Sequence, residues 1–176
     1  FRQRKMCLRD SYTFCVGEVS DEINQLLSTT KEALYKGIEN AVAGRHLGDI
    51  GSAVQDHCEK KGYGVVRELT GHGIGREMHE DPLVPNYGRR GNGILLKSGM
   101  CLAIEPMITM GDRKIAMLPD HWSLCTRDGN PAAHIAHTLA VRQGKEEVLS
   151  SVSEKEKIEA NYKDKVKTAA IEQEGK

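Results

Sequence analysis

The stretch Gly71-His72-Gly73-Ile74-Gly75-Arg76-Glu77-Met78-His79-Glu80-Asp81-Pro82 constrains this chain more than any other. Three glycines within five residues rule out a stable helix interior, where each costs about 1 kcal/mol against alanine. They suit a backbone that bends sharply or lies close against another segment. Two imidazoles sit on that backbone. His72 is expected to bind a metal ion and His79 to face a substrate.

The 176 residues suffice for one domain with its own core. Lysine plus arginine and aspartate plus glutamate both number 25, so charge gives no pull toward nucleic acid or a membrane surface. No apolar run approaches the roughly 18 residues of a membrane span. Neither nucleic acid nor membrane is therefore an expected partner. Cys7, Cys15, Cys58, Cys101 and Cys125 are irregularly spaced with no C-x-x-C pair, which reads as reduced thiols of a cytosolic protein. The chain begins at Phe1, and Phe1 to Arg9 is basic without an apolar segment. That points away from a signal peptide and toward a fragment or a miscalled start.

Apolar residues alternate at Tyr12, Phe14 and Val16, predicting a strand over Ser11 to Val16. Ser20 is placed to cap a helix with Asp21 and Glu22 in its first turn, and an apolar stripe runs from Ile23 through Leu34 to Val42. Gly44 is the expected stop. A second helix is predicted from about Gly48 to Lys61, ended by Gly62. Val65 and Val66 begin a strand, and Pro82 to Gly93 reads as a long irregular loop. Met100 to Ile108 is an apolar strand interrupted by Glu105. Further strands are expected at Trp122 to Thr126, Ala136 to Val141 and Glu147 to Leu149, with a turn at Asp128-Gly129-Asn130-Pro131. Ser151 to Lys176 is highly charged and reads as a solvated helix or loose tail.

Glu105 is the second chemical anchor. A buried carboxylate without a partner costs several kcal/mol or shifts its pKa until it is neutral. Two partners would satisfy it: a lysine or arginine in a salt bridge, or a metal ion. His72, His79, Glu105 and Asp10 together make a mixed imidazole and carboxylate set, which suits manganese, iron, cobalt or zinc better than calcium or magnesium. The H-E-x-x-H motif is absent, because His79-Glu80 runs into Asp81-Pro82-Leu83.

Gly71-His72-Gly73-Ile74-Gly75, His79-Glu80-Asp81-Pro82 and Ile104-Glu105-Pro106-Met107 resemble type I methionine aminopeptidase in order and spacing. Ala132-Ala133-His134-Ile135-Ala136-His137-Thr138 resembles the same family's last motif, and the helices between Ser20 and Lys61 its C-terminal half. The resemblance spans Asp10 to Ser150. It implies an α+β pita-bread (creatinase/aminopeptidase) fold, represented by its C-terminal half: an antiparallel curved sheet with two covering helices. It also implies a dinuclear centre of divalent ions (cobalt, manganese, iron or zinc) that removes the initiator methionine from nascent polypeptide N-termini in the cytoplasm, met at the ribosome. By position His72 and Glu105 become metal ligands, with Asp10 as a third candidate. His79 becomes both the catalytic contact to the scissile amide and, with Trp122, part of the substrate site. The expected layout is an atypical start over 1–9, a partial catalytic domain over 10–150 and a tail over 151–176.

Departures from the family pattern weaken the implied activity. Arg9 stands where the family has the glycine of a G-D-S/T motif, and the following strand is one residue short. Ala136 stands where a bridging glutamate is expected before the histidine of E-H-T, and a methyl group cannot coordinate a cation. The chain is therefore expected to bind two metals poorly and to hydrolyse Met-peptides negligibly. A non-catalytic pita-bread relative or partner-binding module is the alternative reading.

Overall fold

The computed structural model describes residues 7–150, so the tail expected over 151–176 and most of the atypical start lie outside the described residues. Helix α1 (Asp21–Ile38) carries Asp21 and Glu22 at its start and Lys36 in its last turn, charges that complement the helix dipole. Its buried face is Leu26, Ala33, Leu34 and Ile38. The apolar stripe was expected to carry the helix as far as Val42, but the helix stops at Ile38. The Asn40 side chain donates to the Lys36 carbonyl at 2.8 Å, and Gly44 instead pairs its N–H with Leu96 in the connecting turn. Ser20 is the N-cap by position, but its side chain makes no cap hydrogen bond.

Helix α2 (Leu47–Glu59) begins one residue before Gly48. Asp49 fastens that start, accepting the His46 N–H at 2.7 Å and the Gly91 N–H at 2.8 Å. Burial opposes ionisation of Asp49, yet these two donors outweigh it and hold its carboxyl below the usual range.

Ten short strands follow: β1 (Gly64–Val65), β2 (Gly71–Gly73), β3 (Glu80–Val84), β4 (Cys101–Ile104), β5 (Met107–Thr109), β6 (Ile115–Met117), β7 (Leu124–Thr126), β8 (Ala132–His134), β9 (His137–Ala140) and β10 (Glu147–Val148). They form a five-stranded sheet ordered β10-β9-β4-β2-β3, a three-stranded sheet ordered β1-β5-β8 and the β6–β7 hairpin, all antiparallel. Leu34, Ile38 and Ile50 of the helices pack on Leu102, Ile104 and Leu139 of the larger sheet. Leu26, Val54 and Cys58 pack on Val65, Ile108 and Ala133 of the smaller one. Two helices covering antiparallel sheets are the expected α+β arrangement. The five cysteines are all free. Burial pushes the Cys58 thiol up to about 12.

Several strand expectations need correction. The glycine-rich segment is a strand: a Cβ at Gly71 would run into the Ala103 carbonyl oxygen, and one at Gly73 into that of Asp81. The close approach foreseen for these glycines is therefore an approach between paired strands. The loop expected to start at Pro82 begins only after Val84. Pro82 sits in β3, an edge strand, where a missing N–H costs no ladder bond. Glu105 and Pro106 lie between β4 and β5, so the apolar run is two strands that belong to different sheets. The Trp122 strand starts at Leu124, because the Asp120 carboxylate collects the N–H groups of Trp122 and Ser123 into a turn.

The strand expected over Ser11 to Val16 reduces to one bridge, Ser11 to Ala136. Beyond it the Thr13 hydroxyl replaces main-chain pairing. It donates to the His134 carbonyl at 2.8 Å and accepts the His134 N–H at 3.0 Å.

Candidate metal centre

Strand β2 presents His72 to the interior from a central position in the larger sheet, between Leu83 of β3 and Ala103 of β4. The imidazole is buried. Its Nδ1 lies 2.8 Å from the Gly73 carbonyl oxygen. A carbonyl only accepts, so a proton is assigned to Nδ1, and Nε2 is the nitrogen turned toward the site. Nε2 faces Glu105 Oε1 at 3.0 Å.

Glu105 arrives from the break between the two sheets. Its backbone carbonyl accepts from Asn86 Nδ2 at 2.8 Å, which fixes the turn. Its carboxylate is 3% exposed and meets three cationic or cationisable groups: His72 on Oε1, Arg9 Nε at 3.4 Å from Oε1 and His134 Nε2 at 3.5 Å from Oε2. Burial works against ionisation, but the hydrogen bond from His134 and the charges of Arg9 and His72 prevail, so the carboxyl is held below its usual range. Of the two partners open to Glu105 in the sequence, the structure contains the arginine.

Asp10 does not join them. Arg9 and Ser11 bracket it in an extended segment whose pairing runs against residues 134–138. Thr138 Oγ1 accepts the Arg9 N–H at 2.8 Å and donates to the Arg9 carbonyl at 2.7 Å. Ser11 and Ala136 exchange backbone bonds, and Ser11 Oγ lies 3.3 Å from His134 Nε2. Side chains alternate faces along an extended chain, so Arg9 and Ser11 share the Glu105 face while Asp10 lies on the other and is exposed.

His79 lies beside His72, with ring centroids 4.4 Å apart and planes at 57°. It is exposed and lines an open groove of about 360 Å³ with Thr70, His72, Glu80, Asp81 and Leu83. Trp122 stands 87% exposed at the tip of the β6–β7 hairpin, outside that groove. The same hairpin supplies Ile115, Leu124 and Cys125 to a second cleft of about 430 Å³, whose opposite wall includes Met107 and His134. Sequence reasoning missed Arg9 and His134 as neighbours of Glu105, and Ser11 as a neighbour of His134.

The family model of Metallopeptidase family M24 matches residues 4–143. The chain belongs to this family. Within M24 it is 49% identical over 138 residues to a methionine aminopeptidase of Clostridium acetobutylicum, covering 78% of this chain and 55% of that one. It is 43% identical over 142 residues to methionine aminopeptidase 1 of Bacillus subtilis, covering 81% of this chain and 57% of the relative. The crystal structure of methionine aminopeptidase from Rickettsia prowazekii superposes with a TM-score of 0.81 at 40% identity, covering 83% of this chain and 59% of that one. The pita-bread fold and the resemblance to the methionine enzymes are thereby established. The chain spans about half the length of the curated relatives it matches.

M24 is a family of metallopeptidases, so the residues here must be set against divalent ions. His72 and Glu105 have the right chemistry. The site as a whole does not fit a pair of ions. A guanidinium stands against Glu105, and buried Ala136 offers a methyl group on the face it shares by alternation with His134. Among the described residues no group of three or more His, Cys, Asp or Glu side chains is spaced to hold a metal ion. Among the described residues, too, no helix is long and apolar enough to cross a membrane.

Proposed function

We propose that this M24 chain is of methionine aminopeptidase type, built around the removal of initiator methionine from nascent polypeptides in the cytoplasm, at the ribosome. In that reading His72 and Glu105 are the ligand pair for divalent cobalt, manganese, iron or zinc. His79 is the group that hydrogen-bonds the scissile amide, and Trp122 borders the substrate. Asp10 remains the third candidate ligand by motif, although it lies on the far face of its segment. The supporting observation is the approach of His72 Nε2 to Glu105 Oε1 at 3.0 Å with the His79 ring against His72. His72 and His79 share the glycine-rich stretch and line one open groove, and Glu105 reaches His72 from a distant part of the sequence.

The chain's own turnover is expected to be negligible. Loss of groups that merely support metal ligands costs about 10- to 100-fold in affinity or activity. The absence of a bridging carboxylate at Ala136 goes further than that. A second reading, a pita-bread module that holds peptide N-termini without cutting them, is favoured by the Arg9 guanidinium on Glu105. The test is hydrolysis of Met-Ala-Ser with cobalt or manganese, run beside the Clostridium acetobutylicum relative. Turnover more than about a hundredfold below the relative is expected. Equal turnover would overturn the expected loss of activity while supporting the methionine aminopeptidase type. Quenching or a shift of the emission of Trp122, the sequence's one tryptophan, by uncleaved peptide would support the second.

A further inference from the structure

We propose that Arg9 is the resident cation of this site: its guanidinium neutralises Glu105 in place of a divalent ion, and metal binding at His72 and Glu105 requires Arg9 to leave. A carboxylate buried as deeply as Glu105 must be matched by positive charge or by hydrogen-bond donors. Arg9 Nε stands 3.4 Å from Oε1. His72 has committed Nδ1 to the Gly73 carbonyl, and its Nε2 turns toward the same oxygen at 3.0 Å. Arg9 Nε, His72 Nε2 and Glu105 Oε1 are all buried, and none of the three completes an aligned hydrogen bond. Charge attracts the guanidinium to the carboxylate here, and a second cation would compete for that attraction.

The backbone makes this placement a property of the fold. Thr138 holds both the N–H and the carbonyl of Arg9, and the Ser11 to Ala136 bridge sets the register two residues on. On the other side of the carboxylate, His134 approaches Oε2 at 3.5 Å with Ser11 Oγ behind it. An ion on Oε1 would have to share that oxygen with Arg9 Nε, which stands 3.4 Å from it. The inference stands apart from the peptidase reading, because its readouts are metal binding and unfolding.

The test uses the full chain titrated with Co²⁺, followed by calorimetry and visible absorption, and melted with and without chelator. The unmodified chain is expected to melt at the same temperature with Co²⁺ or chelator. Arg9→Ala should bind Co²⁺ roughly tenfold more tightly or better, and Arg9→Ala combined with Glu105→Gln should lose that gain. Arg9→Lys keeps the charge and should gain nothing comparable. In the absence of metal, Arg9→Ala should lower the melting temperature, and lower it much less in a Glu105→Gln background. Equal Co²⁺ affinity of the unmodified chain and Arg9→Ala would overturn the proposal, as would additive melting shifts. If Arg9→Ala does not fold, the unmodified chain decides: a Co²⁺ site removed by His72→Ala overturns the proposal, and its absence supports it.

Discussion

Ser11 and Ala136 exchange backbone hydrogen bonds of 3.4 and 3.0 Å, and this single pair selects the side chains that meet Glu105. Side chains alternate along an extended segment, so a shift of one residue turns every one of them to the opposite face. With Ser11 opposite Ala136, Arg9 faces the carboxylate and Asp10 does not. The resemblance to the methionine enzymes implies a segment one residue longer. Such a shortage would place an arginine where that resemblance implies a carboxylate.

Inserting one alanine between Ser11 and Tyr12 should reverse the arrangement. Tyr12 packs against the core and Thr13 is bonded to His134, so the downstream side is anchored. The added residue would take the place of Ser11 and push Asp10 into that of Arg9. The expected result is a carboxylate beside Glu105 and a gain in Co²⁺ affinity of roughly tenfold or more over the unmodified chain, measured by calorimetry. Unchanged affinity would mean that register does not control the site.

Much of this architecture was readable from local pattern. The helices announced themselves through an apolar stripe and acidic first turns, and β9 and β10 through short apolar runs. His72 and Glu105 stood out for chemical reasons: an imidazole on a glycine-rich backbone and a carboxylate in an apolar run. Their partners did not, because Arg9 and His134 meet Glu105 only through pairing between segments more than a hundred residues apart, and nothing local encodes that register. Strand β2 was hidden by its glycines, which depress strand propensity yet are needed where β2 passes the Ala103 and Asp81 carbonyls. Strands β6 and β8 are only three residues each, too short for alternation to show.

Gly71→Ala should be severely destabilising. The new methyl group would overlap the Ala103 carbonyl oxygen, a backbone atom that cannot step aside without parting β2 from β4. Overpacking of this kind costs about 3 kcal/mol. Urea unfolding should show a midpoint lowered accordingly, with His72 displaced from Glu105. A variant as stable as the unmodified chain would show that the strands have more room than their spacing suggests.

Ala136→Glu alone should not produce an active centre. The position is fully buried, and Arg9 would still face Glu105. A larger side chain with a second carboxylate should destabilise the fold by about 1–3 kcal/mol. Cleavage of Met-Ala-Ser with added manganese should stay at the level of the unmodified chain. Turnover approaching that of the Clostridium acetobutylicum relative would show that the one carboxylate was all the site lacked.

The helix pair carries a modest acid-sensitive link. Glu32 of α1 accepts from Lys61 Nζ at 2.6 Å and lies 2.9 Å from His57 Nε2 of α2. The Lys61 hydrogen bond is the main reason its carboxyl is held below the model-peptide value of 4.5. A carboxyl whose folded pKa is depressed lends stability that is fully present above its unfolded value and lost as pH falls through the folded one. Glu32 is 46% exposed, so solvent screening limits the contribution to under about 1 kcal/mol. Glu32→Gln should therefore melt slightly below the unmodified chain at pH 7, with a gap that closes as pH drops below 4.5 and narrows in high salt. Melting curves from pH 7 to pH 3 measure this directly. A gap that widened toward low pH would contradict the assigned direction of the shift.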